Sequence, residues 1–207
     1  KRLNLILEKS KNQNLNINRF NAINGNDLIT HKLMIYKFFN PYTNLKNTQI
    51  GCFLSHLYLW KKITLQSDDY SIILEDDAII PNNFYNKLKI YINQLPDNWE
   101  MLILGGNSFS GYKYSQNLIK PVYNPKGNWG CFGYILRKKF AKKILSECRN
   151  ITIPVDKYLN ENYYSKNQVF VCYPYLIKHN YDLYSNIFNR KRSAERAKRE
   201  KINILNI

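Results

Sequence analysis

The stretch Ser71-Ile-Ile-Leu-Glu-Asp-Asp-Ala-Ile-Ile80 sets three consecutive carboxylates, Glu75, Asp76 and Asp77, inside an apolar segment of β type. Carboxylates at the end of a buried strand are costly to desolvate unless a cation or hydrogen-bond donors offset their charge. A core strand that stops on such a cluster presents it at the carboxyl edge of a sheet, where open α/β folds bind ligands. Oxygen-rich sites of this kind suit Mg²⁺ or Mn²⁺, which often also hold substrate phosphates. The competing reading is a solvated acidic turn between a strand and a helix. The triplet by itself leaves both open.

The flanking sequence alternates strand and helix patterns. Upstream, Leu3 to Ser10 reads as a short helix and Ile17 to Ile23 as an extended segment ending in Asn24-Gly25. Gly51 to Leu65 carries Phe53, Leu54, Leu57, Ile63 and Leu65 around Trp60, which suits a largely buried helix. Downstream, Pro81 is placed to open a helix continued by Phe84, Leu88, Tyr91, Ile92 and Leu95. Trp99 to Leu104 reads as a strand ending in Gly105-Gly106, followed by a loop rich in Gly, Pro, Tyr and Asn. Cys131 to Leu136 is the next strand and Lys138 to Cys148 an amphipathic helix. Pro154 to Leu159 begins another helix, Gln168 to Tyr173 is a late strand, and Ser193 to Ile202 a basic helix. Such alternation predicts an α/β fold with a mainly parallel, twisted sheet flanked by helices. A length of 207 residues at 44% hydrophobic content fits one domain with a sizeable core.

Cys52, Cys131, Cys148 and Cys172 are far apart, lack a Cys-x-x-Cys pair and sit in apolar contexts. They read as reduced, buried thiols, in keeping with a cytoplasmic location. The apolar runs are short for a membrane span, and the richest, Val169 to Ile177, is broken by Pro174. The formal net charge of +16 calls for an anionic partner: nucleic acid, an anionic membrane surface, or phosphate-bearing substrates.

Four segments in order resemble glycosyltransferase family 25. They are Gly51-Cys-Phe-Leu-Ser-His-Leu-Tyr-Leu-Trp60, Ile73-Leu-Glu-Asp-Asp-Ala78, Gly130-Cys-Phe-Gly-Tyr-Ile-Leu136 with Ala141 and Leu145, and Pro154-Val-Asp156. Fainter likenesses lie in Arg19 to Gly25, Asn98 to Gly105 and Ser185-Asn-Ile187, so the resemblance spans roughly residues 1 to 188. It implies a single GT-A-type domain over 1–188, followed by a basic helix or tail over 189–207. It implies an inverting transfer of a hexose, galactose or glucose, from a UDP-sugar, commonly with Mn²⁺ (or Mg²⁺). The acceptor hydroxyl would belong to a saccharide of lipopolysaccharide or lipooligosaccharide type, or to hydroxylysine. The family opens with a strand and an Arg-containing turn that begin the nucleotide-binding half. Lys1-Arg2 falls just after that strand, so the expectation is a fragment or an altered seat for the nucleotide base.

On this resemblance Asp77 is expected to bind the metal, with Asp76 as a second or water-mediated ligand. Glu75 would orient the ribose or a neighbouring backbone. Along an extended segment Glu75 and Asp77 would share one side and Asp76 the other. His179 is either a third metal ligand or a surface histidine. Ser55 and His56 either brace the donor site or are structural, His56 as a core histidine bonded to backbone. Asp156, behind Pro154 at a helix start, either complements the helix dipole or serves as the base that inversion requires. Gly105-Gly106 and Gly130-x-x-Gly133 read as loop geometry. Trp129, Tyr112, Tyr114 and Tyr123 either stack on sugar or simply pack.

Two other functions compete with a transferase. A nucleic-acid-binding module is disfavoured, because no helix-turn-helix, zinc finger or RNP-type motif is present and an acidic triplet ill suits a phosphate backbone. A degenerate transferase fold serving as a binding subunit is the other. The basic residues from Arg190 to Lys201, ahead of Ile202, Ile204, Leu205 and Ile207, suggest peripheral contact with the cytoplasmic face of an anionic membrane, a solvated helix or an oligomer contact.

Overall fold

A computed structural model describes residues 2–180, 184–185, 190–191 and 202–205. The helices are α1 (Arg2–Lys11), α2 (Lys32–Phe38), α3 (Asn47–Leu65), α4 (Phe84–Ile92), α5 (Lys138–Glu147) and α6 (Val155–Leu159), the last running on into a π turn at Asn160–Tyr164. The strands are β1 (Tyr70–Leu74), β2 (Ala78–Ile79), β3 (Met101–Asn107), β4 (Ser110–Lys113), β5 (Leu118–Pro121), β6 (Trp129–Arg137), β7 (Val169–Cys172), β8 (Lys178–His179), β9 (Tyr184–Ser185), β10 (Arg190–Lys191) and β11 (Asn203–Ile204).

Seven strands form the central sheet in the order β1-β6-β3-β7-β5-β4-β11. Here the expectation of a mainly parallel sheet needs correction, because the sheet is mixed. Among the described residues of this sheet only β3–β7 and β11–β4 pair in parallel, whereas β6 is antiparallel to both β1 and β3, and β5 to both β7 and β4. Strands β1, β3 and β7 do share one direction, as the alternating pattern suggested. The runs that oppose them arrive through short connections, and parallel neighbours need a crossover of about a dozen residues or more. Both β4 and β5 fall in the stretch expected to be loop, whose Gly, Pro and Asn content masked them.

The sheet separates two apolar layers. On one side α3, α5 and α6 pack Phe53, Leu54, Leu57, Trp60, Phe140 and Leu159 against Met101, Ile103 and Tyr134. On the other side α4 brings Phe84, Leu88 and Tyr91 against Leu102, Leu104, Ile135 and Phe170. Each fully buried side chain of this size contributes about 1.5–3 kcal/mol of transfer free energy, so the two layers anchor the sheet from both faces.

Local boundaries moved where local chemistry intervened. Strand β3 runs through Gly105 and Gly106 to Asn107 instead of ending before them. A Cβ on Gly105 would stand 2.3 Å from the Ile177 carbonyl oxygen and 2.6 Å from the Phe132 ring. Leu176 and Ile177 donate backbone hydrogen bonds to the Leu104 carbonyl, which holds that chain close. Gly105→Ala is therefore expected to lower unfolding stability by about 1–3 kcal/mol or more, the scale of overpacking, read as a shifted denaturant midpoint. Helix α4 starts at Phe84 rather than at Pro81, after Asn83 takes a left-handed φ of 57°. The Phe84 N–H is capped from α1's C-terminal turn by Gln13 Oε1 at 3.0 Å. Ile17 to Ile23 forms no strand. The basic helix expected over Ser193 to Ile202 lies outside the described residues except for Ile202, while Asn203–Ile204 pairs with Ser110 and Gly111 at the sheet edge.

Candidate functional site

The acidic triplet sits at the carboxyl end of β1, where Leu74 pairs with Gly133 in the middle of β6. The segment is not extended there. The Ala78 N–H donates to the Glu75 carbonyl at 3.1 Å, so residues 75 to 78 make a tight turn. This corrects the expectation that Glu75 and Asp77 share a side: the turn sends them to opposite layers. Asp76, at the turn's second position, is exposed.

Glu75 faces α3. Its Oε1 lies 3.5 Å from His56 Nε2. His56 Nδ1 is 2.8 Å from the Tyr134 hydroxyl, which accepts the indole N–H of Trp60 at 2.9 Å. With Trp60 donating to the phenol oxygen, the phenol hydrogen is available to Nδ1. The imidazole hydrogen then resides on Nε2, directed at Glu75. His56 is thus a core histidine, bonded to the Tyr134 hydroxyl and facing the Glu75 carboxylate rather than bonded to backbone. Burial raises the Tyr134 hydroxyl well above its ordinary value, which keeps it a neutral donor.

Asp77 faces the other layer and is only 5% exposed. Its Oδ2 lies 3.0 Å from Nε2 of His179, itself 3% exposed on β8. Strand β8 is held there because it pairs with β2, Ala78 opposite His179, and because Asn180 N–H donates to the Asp77 carbonyl at 2.8 Å. The Phe132 ring meets the imidazole edge-on at 5.2 Å. Two residues separated by a hundred positions therefore form one buried pair. His179 is a buried residue, and its surface reading is set aside.

Asp156 opens α6 behind Pro154. Its Oδ2 accepts the Gly130 N–H at 3.2 Å and its Oδ1 the Lys157 N–H at 2.9 Å. Gly130, at φ +89°, takes a backbone conformation that side-chain-bearing residues rarely adopt. The buried Cys131 thiol is pushed well above its ordinary value first by burial and then by the charges of Asp156, Glu75 and Cys52. Ser55 is satisfied locally: it donates to the Gly51 carbonyl and accepts the Ile23 N–H, both at 2.8 Å. Those bonds tie the 15–24 segment to α3 and make Ser55 a brace.

Sequence reasoning passed over Tyr134 and Trp60 as site-building residues and read Cys52 only as a buried thiol. Cys52 and His56 stand four apart on α3, a helical spacing that puts them on one face. That spacing was the available signal. Ligand atoms of Cys52, His56 and Glu75 all lie within 4.8 Å of one another. Tyr112, Tyr114 and Tyr123 are exposed by 38%, 47% and 50%, with Tyr114 packing edge-on against Phe170 at 4.7 Å.

Residues 1–159 match the model of glycosyltransferase family 25, described as an LPS biosynthesis protein. The chain belongs to this family. Ser55, His56, the Glu75–Asp77 turn and Asp156 all fall within the matched region, while His179 lies beyond it. The chain is 28% identical to a procollagen lysyl hydroxylase and glycosyltransferase of Acanthamoeba polyphaga mimivirus, over 87% of this chain and 23% of that one. It is 26% identical to procollagen galactosyltransferase 2 of Homo sapiens, over 71% and 26% respectively. It is 27% identical to the human inactive glycosyltransferase 25 family member 3, over 58% and 21%. The chain spans about a quarter of the length of these three relatives. Among the described residues, no helix is long and apolar enough to cross a membrane.

Proposed function

We propose that this family 25 domain is a metal-dependent hexosyltransferase of GT-A type. It would move galactose or glucose from a UDP-sugar, with inversion, to a hydroxyl of a saccharide or of hydroxylysine. The observation that carries the reading is the pairing of Asp77 with His179 beside a second carboxylate, Asp76, at the carboxyl end of β1, which is the partly exposed edge strand of the sheet and not the core strand expected. Two ligand atoms 3.0 Å apart match the edge of an octahedron with metal–ligand bonds of about 2.1 Å. The donor set of carboxylates and imidazole fits Mn²⁺, so Asp77, His179 and Asp76 are the residues to hold it. A divalent cation at this place supplies charge stabilisation for the diphosphate leaving group without proton transfer.

The remaining steps belong to the chain's own side chains. Asp156 accepts the proton of the acceptor hydroxyl as that oxygen attacks the anomeric carbon. Its two backbone donors fix the carboxylate and leave lone pairs for the incoming hydroxyl. Glu75, steadied by the His56–Tyr134–Trp60 chain, orients the donor ribose, and Ser55 braces α3 behind it. The basic surface favours association with an anionic membrane or a phosphate-bearing substrate.

A second reading, a non-catalytic binding subunit, is favoured by one fact: a relative of similar identity is named inactive. Titration calorimetry with UDP in the presence and absence of Mn²⁺ tests the first part of the proposal. Manganese-dependent UDP binding is expected, and binding indifferent to metal would remove the assigned ligands. Transfer measurements, taken up below, separate an active enzyme from a subunit that only binds.

A further inference from the structure

We propose that Cys52, His56 and Glu75 form a binding site for a zinc-class divalent cation, different in its ligand atoms and its chemistry from the Asp77–His179 pair. The three ligand atoms lie within 4.8 Å of one another. Tetrahedral zinc with bonds of about 2.0–2.3 Å spaces its ligands about 3.3–3.8 Å apart. His56 Nε2 and Glu75 Oε1, at 3.5 Å, already meet that spacing. Cys52 is half-buried and Glu75 sits on a half-exposed turn, so small χ rotations close the rest.

The surroundings supply the partner that a metal-bound histidine needs, once the hydroxyl hydrogen reorients. Ligating imidazoles are oriented by a partner on the other ring nitrogen, and here that partner is the Tyr134 hydroxyl at 2.8 Å, itself anchored by Trp60. On binding, the Cys52 thiol proton leaves to solvent. The imidazole proton moves from Nε2 to Nδ1, the Tyr134 hydroxyl that donated to Nδ1 turns its own hydrogen away and accepts the Nδ1–H beside the Trp60 N–H, and the Nε2 lone pair turns to the metal. Thiolate plus imidazole selects zinc or cobalt over manganese or magnesium, the reverse of the carboxylate-rich Asp76–Asp77–His179 set. Three protein ligands leave a fourth position open to water on the exposed side of Glu75. The inference does not depend on the transferase reading, since it is tested without any nucleotide.

The test uses Co²⁺ as an optical probe and Zn²⁺ as its competitor, with the 207-residue chain under a thiol-free reductant. Near-ultraviolet thiolate-to-metal charge-transfer absorption is expected, equivalent to one thiolate-bound cobalt per chain whatever cobalt the thiol-free Asp77–His179 pair also takes up, and zinc should abolish it. Cys131, Cys148 and Cys172 are buried, so the thiolate is that of Cys52. Cys52→Ser should remove the band and weaken zinc binding by about 100-fold or more. Tyr134→Phe, which takes away only the hydroxyl behind His56, should weaken it by about 10–100-fold. Glu75→Gln, on the half-exposed turn, supplies a second ligand variant, with circular dichroism confirming that each variant folds. Absence of the thiolate band in the unaltered protein would overturn the proposal. So would wild-type zinc affinity in folded Cys52→Ser or folded Glu75→Gln.

Discussion

Asp77→Asn is expected to abolish manganese-dependent UDP binding, weakening it by about 100-fold or more, while the fold survives. A ligating oxygen contributes at least as much as the outer partners that orient ligands, whose loss costs about 10–100-fold in metal affinity. The amide keeps one oxygen to accept the His179 N–H, so the buried imidazole stays bonded. Asp77→Ala behaves differently. Asp77 is buried, not seated on a loop rim, and truncation leaves the 3%-exposed His179 without its 3.0 Å acceptor. That loss should cost about 1–3 kcal/mol of stability. Calorimetry with UDP and Mn²⁺, paired with denaturant unfolding of both variants, separates the metal role from the structural one. Undiminished Mn²⁺-dependent UDP affinity in Asp77→Asn would sink the metal assignment.

Asp156→Asn should bind donor almost normally yet transfer about 10²-fold or more slowly, the scale of general base catalysis. A fall in kcat and kcat/KM together, with KM little changed, marks an interaction made in the transition state alone. Structure refines the expectation. Asp156 accepts from both Gly130 and Lys157, so an amide nitrogen must face one of these two N–H donors. A modest loss of stability should therefore accompany the kinetic loss. Turnover near that of the unaltered protein would return Asp156 to its role at the helix N-terminus, where an acidic residue in the first turn is stabilising by itself.

The helices and the buried strands were largely legible in the sequence because their apolar periodicity is strong. Phe53, Leu57, Trp60 and Phe140 announce buried helical faces, and Met101 to Leu104 a core strand. What could not be read was pairing. Nothing in Trp129 to Arg137 says that it inserts between β1 and β3, since period-2 patterning specifies a face and not a neighbour. The site was legible residue by residue but not in its partnerships. Glu75 and Asp77 parted because a tight turn replaced the extended backbone, and turns are set by long-range fit as much as by the Asp-Asp pair itself. The Asp77–His179 and His56–Tyr134 pairs join residues 102 and 78 positions apart, which no local signal spans. Cys52 was visible as a residue four before His56, but its place beside Glu75 needed the packing of α3 under β1.

The most direct measurement is hexose transfer from UDP-galactose and UDP-glucose to saccharide and hydroxylysine-peptide acceptors, with Mn²⁺ or with a chelator, following UDP release and product together. Acceptor-dependent UDP release is expected with one of these donors in Mn²⁺, abolished by chelation and in Asp77→Asn. Release that ignores the chelator, or no transfer by a protein that still binds UDP with Mn²⁺, would contradict the proposed function.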